Sequence, residues 1–200
     1  MTDERRYAPA TQRNRGPILD LLRGVLPPRG LVLEIASGTG EHVVHFAREL
    51  PNLTFQPTDP EPSARGSIAA WIAEEKLSNI RAPLELDAAR TPWPVTAADA
   101  IICVNMIHIS PWDSTLGLMR GAAAILPAGA PLFLYGPFIR AGIATAPSNL
   151  DFDADLKRRN PAWGLRDLAN VANVAAAAGF SAPVVTEMPA NNLGVVFRRL

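Results

Sequence analysis

Residues 31–46 read LVLEIASGTGEHVVHF, and that stretch decides the fold. Leu31, Val32, Leu33 and Ile35 form a short, nearly continuous apolar run, the pattern of a strand buried on both faces. Ala36-Ser37-Gly38-Thr39-Gly40 follows, a loop of small residues that can turn tightly and bring its backbone N–H groups close to a ligand. Val43, Val44, Phe46, Ala47 and Leu50 then recur at helical spacing. Strand, glycine turn and helix in this order open a nucleotide-type α/β domain, whose ligands sit above the carboxyl ends of the strands.

The loop departs from two familiar phosphate cradles. The dinucleotide pattern has a third glycine three residues after the second, where this chain has Val43. A Walker-type loop would end in Gly-Lys-Ser/Thr, which is absent. Glu34 closes the strand, and a carboxylate there repels phosphate while attracting a cationic or hydroxyl-bearing group. The loop therefore points to a nucleoside-like ligand and leans away from NAD and ATP.

Working outward, an amphipathic helix is expected from Pro17 to Leu26, after a polar, irregular start, with Pro27-Pro28 as its stop. Residues 1–27 read as an N-terminal arm and helix. Leu53, Phe55 and Pro57 alternate as a second strand ending at Asp59, nineteen residues beyond Gly40. That is the place for an acid contacting ribose hydroxyls, or for a turn acid before Pro60. Pro62 to Ser78 reads as a helix, Ile80 to Leu86 as a third strand, and Ala100 to Val104 as a central fourth. A helix around residues 116–126 and a fifth strand over Pro131 to Tyr135 follow.

Residues 137–165 form a long insertion or lid, since connections of that length are unusual unless functional. A short helix is expected within it, over Phe152 to Asn160. Asp167 to Ala178 is helical with Gly179 as its stop. Val184 to Met188 and Leu193 to Leu200, joined by a short polar turn, make an antiparallel hairpin.

The whole chain sets bounds. Two hundred residues suit one domain spanning 1–200, and 48% hydrophobic residues suffice for a core. Nineteen basic residues balance nineteen acidic ones, which argues against general nucleic-acid binding. Arg5, Arg6, Arg13 and Arg15 crowd the N-terminus, as a solvated arm would. Cys103 lies in an apolar run and reads as a buried filler. His42 and His45 lack acidic or cysteine partners at ligand spacing, so no metal site is expected. The first residues lack the apolar core of a signal peptide, and no run reaches eighteen apolar residues, so the default is cytoplasmic with no membrane span.

The segment Glu34 to His42, EIASGTGEH, resembles the glycine-rich motif of class I S-adenosylmethionine (SAM) methyltransferases. More narrowly, the chain resembles the small family that includes methyltransferase-like protein 26. The matching stretches are Asn14–Leu19, Glu34–Phe46, Gln56–Asp59, Asn105–Trp112, Leu134–Phe138, Trp163–Asp167 and Met188–Phe197. The resemblance implies an α/β, Rossmann-like class I methyltransferase domain with a mostly parallel seven-stranded sheet, order 3-2-1-4-5-7-6, ending in an antiparallel hairpin.

The same resemblance implies SAM as cofactor. Gly38 and Gly40 would lie against its methionine portion, with Ala36 in the same loop. Glu34 would orient the amino end, Asp59 the ribose, and Asp87 and Ala88 the adenine. Asn105 would face the cofactor amine or the substrate. Ser37 stands where many such enzymes have a further glycine.

The acceptor side is read from the residues. His108 is the candidate general base because an unperturbed imidazole titrates near neutrality. Tyr135 is a candidate hydrogen-bond donor, or simple core. Trp112, Phe138 and Trp163 can wall an apolar pocket, Arg15 can cover the cofactor or grip an anionic substrate, and His42 can touch substrate or cofactor. Arg166 and Asp167 read as a structural pair.

The leading expectation is a SAM-dependent methyltransferase acting on a small-molecule acceptor. The alternatives are a SAM-binding regulatory or partner protein without turnover, and an NAD-linked reductase, which Val43 and the final hairpin disfavour. A homodimer is compatible with the chain, but no pattern specifies one.

Overall fold

The structure, a computed structural model, describes residues 4–200. The first three residues of the expected N-terminal arm lie outside it. The apolar run after Gly30 forms β1 (Gly30–Ile35), which pairs in parallel with β2 (Leu53–Pro57) on one side and β3 (Ala100–Val104) on the other. β4 (Pro131–Gly136) continues in parallel beside β3. β6 (Asn192–Arg198) then inserts antiparallel between β4 and the edge strand β5 (Val184–Met188). The order is β2-β1-β3-β4-β6-β5.

Alternation along the strands splits the core in two. Leu33, Ile35, Ile101, Cys103, Leu132 and Leu134 point to one face. There they meet Leu118, Met119 and Ala122 of α4 (Trp112–Ile125) and Val171 and Ala175 of α6 (Leu168–Ala177). Val32, Phe55, Ala100, Ile102, Phe133 and Tyr135 point to the other. That face is covered by α1 (Pro9–Val25), α2 (Glu41–Glu49) and α3 (Pro62–Glu75) through Ile18, Leu22, Val43, Phe46 and Ile68. Burial on both faces explains why β4 carries no exposed residue.

Among the described residues the sheet has six strands, not the expected seven. The strand expected at residues 80–86 is reduced to two isolated bridges, Phe55 to Ile80 and Thr58 to Leu84. Pro83 has no N–H to give to the ladder, and Pro57 opposite has none either. The Gln56 side chain instead donates to the Ala82 carbonyl at 2.8 Å. The segment still runs beside β2 and still delivers residues 86–88 to the same edge of the sheet as the other strand ends. The remaining order agrees with the expectation once that strand is removed.

The first helix begins earlier than expected, at Pro9, and carries Pro17 inside it. A proline at the first turn favours a helix start, and here Pro9 takes that role. The insertion holds α5 (Pro147–Arg159), about five residues longer at its start than the pattern suggested. Asp167 caps α6 by accepting from the Asn170 N–H and does not pair with Arg166. Among the described residues, no helix is long and apolar enough to cross a membrane.

Candidate functional site

The carboxyl ends of β1 to β4 share one edge of the sheet, and a cavity of about 760 Å³ opens there. The chain turns sharply out of β1 and β3 at Ala36 (φ 55°) and Asn105 (φ 61°). Asparagine tolerates the left-handed region, but alanine is strained there, and such strain collects at ligand sites. After Ala36, the loop is stitched to the neighbouring strand end. The Ser37 N–H donates to the Thr58 carbonyl (2.8 Å) and the Gly38 N–H to Asp59 Oδ2 (3.0 Å). Gly40 (φ 91°) then caps α2, and a Cβ there would lie 2.9 Å from Ile68 Cα.

Four carboxylates line this half of the cavity: Glu34, Asp59, Glu61 and Asp87. Glu34 is fully enclosed with Oε2 unpartnered, and burial is the main reason its pKa rises to about 7. A buried carboxyl without a partner is costly, and a cationic ligand group would satisfy it. Asp59 is also raised, first by burial, against the opposing hydrogen bonds from the Glu61 and Gly38 backbone. Asp87 is fixed by the Ala89 N–H at 2.9 Å.

The N-terminal segment forms a roof. Ala8, Ala10, Thr11 and Asn14 line the cavity. The Ala8 N–H donates to Glu41 Oε2 (2.6 Å) and the Arg6 N–H to Ser67 Oγ (2.8 Å), which in turn donates to the Thr39 carbonyl. His42 bonds Asn14 Oδ1 through Nε2 at 2.9 Å, while burial raises the Tyr135 pKa and the nearby Asn14 side chain partly offsets the rise. Burial, with His45 and Arg15 nearby, pulls the His42 pKa down to about 3, so the ring is neutral.

The opposite wall comes from residues 104–114 and from the insertion, through Phe152 and Trp163. The insertion is pinned in place. The Gly164 N–H donates to the His108 carbonyl (2.9 Å) and the Leu165 N–H to Asp153 Oδ1 (2.8 Å). Arg166 gives its guanidinium to the carbonyls of Ile107, Ser110 and Ala162 and flanks Trp112.

Of the residues singled out from the sequence, Glu34, Ala36, Gly38, Asp59, Asp87, Ala88, Asn105, His42 and Trp163 share this one cavity. Gly40 shapes the loop from behind. His108, Tyr135, Arg15, Trp112 and Phe138 fall outside the lining. His108 is fully buried because the 105–108 turn folds it back: its N–H donates to the Asn105 carbonyl. Its ring packs edge-on to Phe138, in space that a Cβ on Gly136 would fill. Both ring nitrogens are unpartnered, and burial lowers its pKa to about 3. It is therefore badly placed to act as the base. Tyr135 turns into the α1–α2 face, and Phe138 backs His108.

The cavity also takes in Glu61, Asn14 and Phe152, which no motif marks as site residues. Glu61 follows Asp59 by only two positions, which was a usable signal. Asn14 and Phe152 reach the cavity only through tertiary packing of α1 and α5.

The fold is that of class I SAM-dependent methyltransferases. An O-methyltransferase family protein from Burkholderia thailandensis superposes with a TM-score of 0.79 at 20% identity. The match covers 95% of this chain and 57% of that one. Human N-acetylserotonin methyltransferase, solved with SAM, gives a TM-score of 0.76 at 15% identity, covering 95% and 52%. In sequence, a tRNA (guanine-N(7)-)-methyltransferase from Agrobacterium fabrum is 29% identical over 113 residues, 51% of this chain and 48% of that protein. The chain spans about half the length of these relatives. At the level of family, a model described as "Protein of unknown function (DUF938)" matches residues 5–199, and the chain belongs to that family.

Proposed function

We propose that this protein is a SAM-dependent methyltransferase acting on a small molecule, within the narrower group that includes methyltransferase-like protein 26. One observation carries the reading: Glu34 and Asp59 from the ends of β1 and β2, and Asp87 from the segment that runs beside β2, face a single cavity beside a glycine loop. That arrangement suits a ligand with an ammonium, a ribose and an adenine in sequence, and the unpartnered Oε2 of Glu34 fits its cationic end.

When bound, SAM supplies a methyl carbon activated by a positive sulfur. The chain's task is alignment. Glu34 receives the amine, Asp59 the ribose hydroxyls, and Asp87 with Ala88 the adenine. Ala36, Gly38 and Asn105 border the methionine portion, and Gly40 sets the loop. His42 and Trp163 face the acceptor, and residues 137–165 form the wall that excludes water above it. Balanced charge speaks against unaided capture of tRNA, the substrate class in the name of the Agrobacterium relative.

A second reading, binding without turnover, draws on the acceptor half, where His42 is the only imidazole and is held neutral. Calorimetry with S-adenosylhomocysteine, repeated with NAD as competitor, tests the shared core of both. One-to-one binding that NAD does not displace is expected. NAD binding in preference would overturn the assignment.

A further inference from the structure

The cavity is electrically lopsided. Its four carboxylates all lie on the side of the glycine loop, β2 and residues 86–88. The far side, built from α1, residues 104–114 and the insertion, places no ionised side chain in the lining. The nearby charges lie outside the lining, among them Arg15, which is close enough to help lower the His42 pKa. Arg166 is used by three carbonyls, and Asp153 by Lys157 and the Leu165 N–H. Arg159 lies over the Trp163 ring at 5.2 Å. What remains is uncharged: the flat rings of Phe152 and Trp163 with Met106 and Ile109, beside the neutral polar side chains of Thr11, Asn105, Ser110 and Ser114.

A hydrogen-bonded pair, His42 of α2 and Asn14 of α1, borders this wall. His42 Nε2 sits 2.9 Å from Asn14 Oδ1. An amide oxygen only accepts, so Nε2 carries the ring proton and Nδ1 is left as an acceptor. Nδ1 has no partner in the protein, and it is not among the buried unpartnered atoms, so it is open to the cavity that His42 lines.

We infer that the methyl acceptor is an uncharged, flat, largely apolar molecule, an arene or heteroarene whose one O–H or N–H donor meets His42 Nδ1 while its ring lies against Phe152 and Trp163. The inference rests on the methyltransferase reading above. The physical basis is selection by cost. An ionised carboxylate or phosphate moved into this wall would lose its hydration, meet no cation in the lining and share the cavity with four carboxylates. A neutral ring loses little, gains aromatic contact, and satisfies the imidazole. The wall is preformed, because backbone bonds from Gly164 and Leu165 and the Asn149 side-chain bond to the Asn191 carbonyl hold the insertion. Little ordering is then needed when the acceptor binds.

The test uses protein saturated with S-adenosylhomocysteine, titrated by fluorescence with 2-naphthol and with naphthalene-2-sulfonate. The two share a ring system and differ in charge. The neutral probe is expected to bind at least about tenfold more tightly. Trp163→Ala and Phe152→Ala are each expected to weaken 2-naphthol by roughly tenfold with S-adenosylhomocysteine affinity unchanged, and Trp163→Phe to retain binding. His42→Ala is expected to weaken 2-naphthol but not naphthalene, a split that mere packing would not produce. Equal or tighter binding of the sulfonate, or unchanged 2-naphthol affinity in the alanine variants, overturns the inference while leaving cofactor binding intact. Failure of S-adenosylhomocysteine to bind overturns the methyltransferase reading and this inference with it.

Discussion

Asp59 Oδ2 accepts a hydrogen bond from the Gly38 backbone N–H at 3.0 Å, tying the end of β2 to the glycine loop after β1. Its other oxygen accepts from the Glu61 N–H at 2.9 Å. One carboxylate therefore sets the loop's shape and still presents lone pairs to the cavity. Replacing Asp59 with alanine removes both functions. Cofactor affinity is expected to fall by about 10- to 100-fold, measured by calorimetry, because charge-assisted bonds are lost. Unchanged affinity would remove Asp59 from the site.

The two loop glycines should fail differently. At Gly40 an added Cβ meets the α3 backbone and the φ is positive, so Gly40→Ala is expected to cost about 1–3 kcal/mol of stability. For a chain this size each kcal/mol lowers the melting temperature by about 2–4 °C. A Cβ at Gly38 meets nothing closer than 4.0 Å, so although its φ of 60° strains alanine as well, there is no clash to add to that cost. Gly38→Ala should melt closer to the parent, yet put a methyl group where the cofactor lies and bind it more weakly. Thermal melts and titrations on the same two variants separate these effects.

Glu34 gives the unliganded protein a pH dependence. Its folded pKa, about 7, lies above the ordinary value of 4.5. Between these values the folded state holds a proton that the unfolded chain has released. Its contribution is complete below the unfolded pKa and is lost as the pH rises through about 7, a change on the order of 3 kcal/mol. Glu34→Gln should flatten this decline and melt higher than the parent at alkaline pH. A cationic amine beside Glu34 favours the carboxylate, so cofactor binding at about pH 6 should release protons. Calorimetry in buffers of different ionisation enthalpy reads that release.

Glu41 is the latch of the N-terminal roof, accepting from the Ala8 N–H and the Thr39 hydroxyl while 2% exposed. Glu41→Ala should raise amide hydrogen exchange across residues 5–14 and leave β1, β3 and β4 protected. Exchange rising equally throughout the sheet would show instead that the substitution unfolds the core.

What the sequence made legible was local. β1, the loop and α2 read directly because the apolar period changes from strand to helix across two glycines. The acids at positions 34, 59 and 87 could be placed because each closes or follows a readable strand. Misreadings came where tertiary context decided. Pro57 and Pro83 face each other and dissolve a strand that composition suggested. His108 sits in a polar, strand-end segment that looks catalytic, but a tight turn buries it. Asn14 and Phe152 reach the cavity only because α1 and α5 fold over it, and neither helix announces which of its residues points inward.

The most direct measurement is a crystal structure of the protein grown with S-adenosylhomocysteine. The account predicts the ribose within hydrogen-bonding distance of Asp59, the adenine beside Asp87 and Ala88, and the amine at Glu34, with open space left between the sulfur and Phe152 and Trp163. A ligand bound elsewhere, or lying in this cavity with its adenine against the insertion, would contradict it.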